Sequence, residues 1–233
     1  MEKKIVVDDI PLDYYKKQVG SGVMGRCYLT SDNKVFKEFI ESYNGTSTFD
    51  YLAKTKYEFF VFPELLIYVK DYNDERLAGY IMPFVSGCDF NNLDGNIKVR
   101  DFIEALKKLE FQIRAMSSEI LIEDMNPGNM IYNSSNNSIF VVDTDLYIRT
   151  PHDPYRTFKE NIKEFASSTL RLIDGAEDLS VRIGQIIRES SLYGIMLPST
   201  IYREVTDDLE KRFDDEIKTL DDLYHGISLV RRR

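Results

Sequence analysis

The stretch ILIEDMNPGNMIY, residues 120–132, sets an acidic, turn-forming loop between two apolar segments. Ile120 to Ile122 and Met130 to Tyr132 have the composition of short buried strands. Between them stand Glu123, Asp124, Asn126, Pro127, Gly128 and Asn129, mostly the residue types that turns demand. Fourteen residues past Asn129 the apolar run IFVV ends at Asp143. Residues 129–142 read as a hairpin around NSSNNS, and a hairpin returns its end close to its start. Asn129 and Asp143 are therefore expected side by side. An amide oxygen beside a carboxylate is hard-oxygen ligation suited to Mg²⁺ held together with phosphates. Asp124, one loop away, is free to orient a nucleophile. Taken singly, each of these residues is what a turn needs.

The set gains meaning from what precedes it. Residues 19–39, VGSGVMGRCYLTSDNKVFKEF, hold Gly20, Ser21, Gly22, Val23 and Gly25 in a G-x-G-x-x-G pattern. A dinucleotide fingerprint places a helix after such glycines. Here they are followed by RCYLT, a turn and the strand KVFKEF, which excludes that reading. The context fits a glycine loop capping a β-hairpin, where backbone N–H groups approach phosphates without interference from Cβ. Twelve residues after Gly25 stands Lys37. Strand alternation puts it on the face opposite Phe36, where a cation could lie under the glycine loop and bind phosphate oxygens.

Bulk properties narrow the function further. A chain of 233 residues suits one large domain or two small ones. The net charge of −9 argues against broad nucleic-acid binding. With only His152 and His225 present, a histidine triad or zinc site has little to build on. Two cysteines, Cys27 and Cys88, make no disulfide framework, so a reducing compartment is expected. No apolar run is long enough to span a membrane, and MEKKIVVDDIP lacks the apolar core of a signal peptide; both point to a cytoplasmic protein.

Along the chain, five strands are expected at 14–20, 26–31, 34–39, 64–69 and 77–85, with hairpin connections at 31–34 and 70–79. One helix, 47–59, interrupts them, with Ser47 or Thr48 as its N-cap. After residue 95 the pattern changes to helical spacing over 97–116. Three more helices are expected at 158–175, 178–191 and 198–226, with Gly175 and Gly226 as stops. The order is a strand-rich region (1–85), a linker (86–95) and a helix-rich region with one embedded hairpin (96–233).

In this order and spacing the motifs resemble the protein-kinase-like superfamily: glycine loop, strand lysine, D-x-x-x-x-N loop and metal-binding aspartate. DMNPGN, 124–129, stands where that family has D-L-K-P-E-N, and VVDTD, 141–145, where it has D-F-G. The resemblance covers roughly residues 15–175. It implies an α+β, bilobal fold, with a small antiparallel N-lobe sheet carrying one helix and a mainly helical C-lobe. It implies ATP and Mg²⁺ as cofactors and a hydroxyl-bearing acceptor, either a protein serine or threonine or a small molecule. Gly20, Ser21, Gly22, Val23 and Gly25 would cover the phosphates, and Lys37 would pair with α and β oxygens. Asn129 and Asp143 would hold the metal, and Asp124 would orient the acceptor. Pro83 to Val85 would meet adenine, Pro83 through its carbonyl and Val85 through its N–H, with Ile131 as the pocket floor. The acid that pairs with Lys37 has two candidates. Glu58 is the family's residue type but sits five residues before Pro63; Asp50, thirteen after Lys37 and mid-helix, fits the spacing better.

The departures are equally specific. Ile122-Glu123 replaces the family's H-R, Asn126 replaces the lysine of the loop, Asp145 replaces the D-F-G glycine, and no A-P-E segment follows. The pattern is that of compact, divergent bacterial or phage-type kinases. The same residues also suit a kinase-shaped binding module without transfer, or an AMP transferase.

Overall fold

A computed structural model describes residues 3–40, 46–71, 74–149, 153–174, 176, 179–193 and 195–231. The fold is α+β, with a mixed sheet of six strands and several helices. The chain divides into two compact units. One comprises Met1–Val85 with Asp143–Asp145, the other Ser86–Val142 with Leu146–Arg233.

The first unit is built on the sheet β1-β5-β6-β4-β3-β2. Its strands are β1 (Lys4–Val7), β2 (Lys17–Ser21), β3 (Gly25–Leu29), β4 (Lys34–Phe39), β5 (Leu65–Asp71) and β6 (Asp74–Pro83). Five lie where turn and β-former signals predict them. β1 is additional: it pairs parallel to β5, with Ile5 opposite Ile67, so the sheet is mixed rather than wholly antiparallel. Ile5 and Val7 pack against a cluster of Phe36, Ile67 and Ile81. The short IVV run thus forms an edge strand because a covered apolar face awaits it.

The opposite face carries Lys37, Phe39 and Tyr80. Register pairs Lys37 with Cys27 on β3 and with Tyr80 on β6. Helix α1 (Thr46–Leu52) closes this face through Phe49, whose ring lies 5.5 Å from Phe39 and 5.8 Å from Tyr80. α1 is half the length expected from sequence. It ends at Leu52, and Phe59, Phe60, Val61 and Phe62 are all buried in the irregular run before Pro63, which keeps Phe62 out of a helix. Thr48 lies inside the helix and not at its cap, and the side chain of Ser47 falls outside the described residues.

The second unit is organised by α2 (Val99–Met116), which buries Phe102, Ala105, Leu106, Leu109 and Ile113, the stripe that helical spacing predicts. Phe102 meets Phe90, Tyr132 and Tyr202 at ring separations of 5.3–5.8 Å. Segment 86–95, read from sequence as a linker, holds β7 (Cys88–Asp89). β7 pairs with β9 (Met130–Asn133), which pairs with β10 (Ser138–Val141). β8 (Ile120–Leu121) pairs with β11 (Ile148–Arg149).

Helix α3 (Pro154–Thr169) starts four residues before the sequence signal. Asp153 caps it, accepting from the N–H groups of Tyr155 and Arg156, and Pro154 occupies the first position. α4 is Val181–Tyr193. Gly175, expected as a stop between α3 and α4, lies outside the described residues.

The single helix expected over 198–226 is two: α5 (Pro198–Phe213) and α6 (Leu220–Arg231). Asp214 adopts a left-handed conformation (φ 51°) and ends α5. α6 starts on a reciprocal cap, with Asp222 accepting from Thr219 N–H at 2.9 Å and Thr219 Oγ1 accepting from Asp222 N–H at 3.2 Å. Gly226 is interior to α6 and is not a stop. A Cβ there would lie 3.0 Å from Leu209 Cδ1, so its role is close approach of α6 to α5. Among the described residues no helix is long and apolar enough to cross a membrane.

Candidate active site

In the first unit, β4 delivers Lys37 into the sheet interior, 3% exposed. Its ammonium contacts Asp143 Oδ1 and lies 2.5 Å from Asp145 Oδ2. The Tyr80 hydroxyl donates to Asp145 Oδ1 at 2.5 Å. Three buried polar groups and the half-buried Asp143 therefore meet between β4, β6 and the tripeptide Asp143–Asp145. Burial, the largest influence on Lys37, pushes its pKa down; the carboxylates of Asp145 and Asp143 outweigh it and hold the pKa above the ordinary value. Burial pushes Asp145 up, and the pull of the Lys37 ammonium does not cancel it. Burial, with the charges of Asp145 and Asp143, raises Tyr80 well above its usual range.

Sequence reasoning assigned the Lys37 partner to Asp50 or Glu58. Both are exposed, and Lys37 forms its ion pairs with Asp143 and Asp145 instead. In sequence Asp145 reads only as a departure from a glycine. Its sole sequence signal is the acidic doublet spaced by Thr144 in VVDTD.

Gly20 and Gly25 lie on strands and Gly22 at the turn between them, where Gly22 N–H donates to Gly25 C=O at 2.9 Å. Ser21, Gly22 and Val23 form an exposed tip, Val23 being 93% exposed. The glycines have different reasons. A Cβ on Gly25 would sit 2.4 Å from the Glu38 carbonyl oxygen and 3.3 Å from Lys37 Cε; a Cβ on Gly22 would meet nothing within 4 Å. Gly25 is demanded by packing, whereas Gly22 is left open to the outside. Pro83 ends β6 exposed, and Val85 is half-buried.

In the second unit the loop 122–129 is fastened from beneath. Asn161 on α3 is fully buried. Its Oδ1 accepts from Ile122 N–H at 2.7 Å, and its Nδ2 donates to Ile120 C=O and Ser117 Oγ, each at 2.9 Å. The Ser168 hydroxyl donates to Met125 C=O. Neither tie is visible in local sequence, because the partners lie about forty positions away. Above these ties Asp124 is exposed in a left-handed conformation (φ 58°). Its carbonyl accepts from Asn126 N–H and from Asn129 Nδ2, both at 2.9 Å, and its Oδ1 accepts from Asn126 Nδ2 at 3.0 Å. Asn126 accepts from Gly128 N–H at 2.9 Å, which sets the Pro127–Asn129 turn. Asn129 C=O accepts from Val142 N–H at 2.8 Å, the closing bond of the hairpin that leads into Asp143. Ile131 is half-buried on β9.

The donor chemistry can be judged against Mg²⁺. Asn129 spends its Nδ2 on Asp124, which leaves Oδ1 as its side-chain acceptor. Asp143 keeps 38% of its side chain exposed. No cluster of three or more His, Cys, Asp or Glu residues placed for a metal occurs among the described residues. The Asn129 amide oxygen and the Asp143 carboxylate are each, taken alone, a hard-oxygen donor of the type that Mg²⁺ accepts alongside phosphates and water. They do not fit a closed protein cage of the zinc type.

No family model matches the chain, and comparison with curated proteins gives no match.

Proposed function

We propose that the protein is a phosphotransferase of the protein-kinase-like type, with a bilobal kinase-like arrangement, which moves the γ-phosphoryl group of ATP to a hydroxyl. The observation that carries this reading is the buried ammonium of Lys37, gathered with Asp143 and Asp145 behind a glycine hairpin with an open tip. A lysine sunk into a sheet face beside two carboxylates is costly as mere scaffolding and suits phosphate binding.

In this reading Ser21 to Val23 close over the phosphates with backbone N–H groups, and Lys37 binds phosphate oxygens. Asp143 and the Asn129 amide oxygen would hold Mg²⁺, which would neutralise phosphate charge. Asp124, exposed and held by Asn126 and Asn129, accepts the proton of the incoming hydroxyl as its oxygen bonds to the γ-phosphorus and ADP leaves with the bridging oxygen. Pro83, Val85 and Ile131 take the adenine.

Intact-mass measurement of the protein and of candidate acceptors after incubation with Mg-ATP tests the proposal. Addition of one phosphate supports it. Addition of AMP assigns the site to nucleotidyl transfer, and no addition under conditions where ATP binds assigns it to a binding module. ATP with Mg²⁺ should also raise the melting temperature, and EDTA should remove most of that shift. At a hundredfold excess over Kd the binding term is about 2.7 kcal/mol.

A further inference from the structure

The two carboxylates on Lys37 are not equivalent. The side chain of Asp145 is 2% exposed and that of Asp143 is 38% exposed. Asp145 is held at both oxygens, by the Tyr80 hydroxyl and by Lys37, each at 2.5 Å. Between the two acids Thr144 is fully buried, its hydroxyl donating to the Val61 carbonyl at 3.4 Å. Asp143 shares only its Oδ1 with Lys37 and keeps open surface. On the other side of the stem, the missing Cβ of Gly25 leaves room for Lys37 Cε.

We infer that Asp145 is the resident counter-ion of Lys37 and its positioning residue, while Asp143 is an exchangeable partner. The positioning role, toward phosphate, rests on the phosphotransferase reading above. The physical need is plain. A buried ammonium stripped of its counter-charge is strongly unfavourable. A cation that drew the Asp143 carboxylate away would strand Lys37 if Asp143 were its sole partner. Asp145, walled in and fixed by Tyr80, keeps the ammonium paired and aimed whichever way Asp143 turns. Two acids thus divide two tasks, one serving the lysine and one left for a metal. The acid on or after α1 becomes unnecessary, as the exposure of Asp50 and Glu58 requires. The charge of Lys37 is then paired without an acid from α1.

Double-mutant cycles in urea unfolding test the pairing. Lys37→Met combined with Asp145→Asn should show coupling of about tenfold or more in the unfolding equilibrium constant, equivalent to about 1.4 kcal/mol. Lys37→Met combined with Asp50→Asn should be additive within about twofold. Should Lys37→Met fail to fold, Lys37→Gln closes the same cycles. Additivity with Asp145, or equal coupling with Asp50, overturns the assignment.

Calorimetric binding of a non-hydrolysable ATP analogue, with Mg²⁺ and with EDTA, tests the positioning role. Asp145→Asn should weaken binding in both buffers, and Asp143→Asn in Mg²⁺ alone. Asp145→Asn that couples to Lys37 yet binds in EDTA like wild type reduces Asp145 to scaffolding and overturns its positioning role. If the wild type binds no analogue in either buffer, the phosphotransferase reading falls together with the positioning role, and the cycles still decide the counter-ion.

Discussion

Replacing Asn161 by alanine should loosen the loop that carries Asp124 without touching it. Asn161 serves three groups: the Ile122 N–H, the Ile120 carbonyl and the Ser117 hydroxyl. Ser117 keeps its own donation to Ile113 C=O at 2.6 Å, so its loss is small. The two backbone groups belong to residues no more than 1% exposed and have no solvent to turn to. Each orphaned buried group costs about 1–3 kcal/mol, so the pair amounts to about 3 kcal/mol. For a chain of this size that corresponds to a fall in Tm of about 6–12 °C. Urea unfolding should show the midpoint falling with an unchanged m value. Asn161→Asp is the informative companion. It can still accept from Ile122 but loses both donors and buries a charge, so it should be at least as destabilising. A loss below about 1 kcal/mol for Asn161→Ala would show that water replaces the amide and that the loop does not hang from α3.

Other outcomes follow from the same structure. Lys37→Met should cost about 3–5 kcal/mol, because the buried carboxylate of Asp145 loses the Lys37 counter-charge; loss of activity in that variant is interpretable only beside its melting curve. Its raised pKa means that the stability Lys37 contributes is fully present below the ordinary value of 10.5 and is lost as pH climbs through the folded-state value, a loss that wild type shows in alkaline unfolding and Lys37→Met lacks. Glu110 is buried and caps α5 by accepting from Ser199 N–H at 2.7 Å and Ser199 Oγ at 2.6 Å. Burial outweighs those bonds and raises its pKa, so its contribution is present below the ordinary 4.5 and declines as pH rises through the folded-state value; Glu110→Gln should flatten that part of the stability profile. Gly25→Ala should destabilise through a backbone clash, whereas Gly22→Ala should leave stability within about 0.5 kcal/mol of wild type and, in the proposed function, weaken nucleotide binding.

The parts of the fold legible in sequence are those whose cause is local. α2 declares itself by its apolar stripe, the 130–141 hairpin by its turn residues, and β4 by its β-forming residues after the turn at 31–34. What escapes has a distant cause. β1 is four residues whose stability comes from β5, some sixty positions away. The break between α5 and α6 uses a left-handed aspartate where glycine is the usual signal, although T-x-x-D at 219–222 marks the restart. The residues of the candidate site divide the same way. Lys37, Asp124, Asn129 and Asp143 stand in motifs, whereas Asp145, Tyr80 and Asn161 matter through contacts to residues at least 39 positions away.

The tripeptide Asp143–Asp145 belongs to the first unit although its sequence neighbours on both sides belong to the second. This has a consequence for synthesis. Lys37 emerges from the ribosome 106 residues ahead of Asp143. At about 5–20 residues per second, the nascent sheet waits roughly 5–20 s for the carboxylates that its lysine and Tyr80 require. A fragment cut after Val85 would wait indefinitely, with an ammonium facing its interior and no acid to meet it. The first unit is thus begun first but completed only at Asp145, after Ser86–Val142 of the second unit has been made.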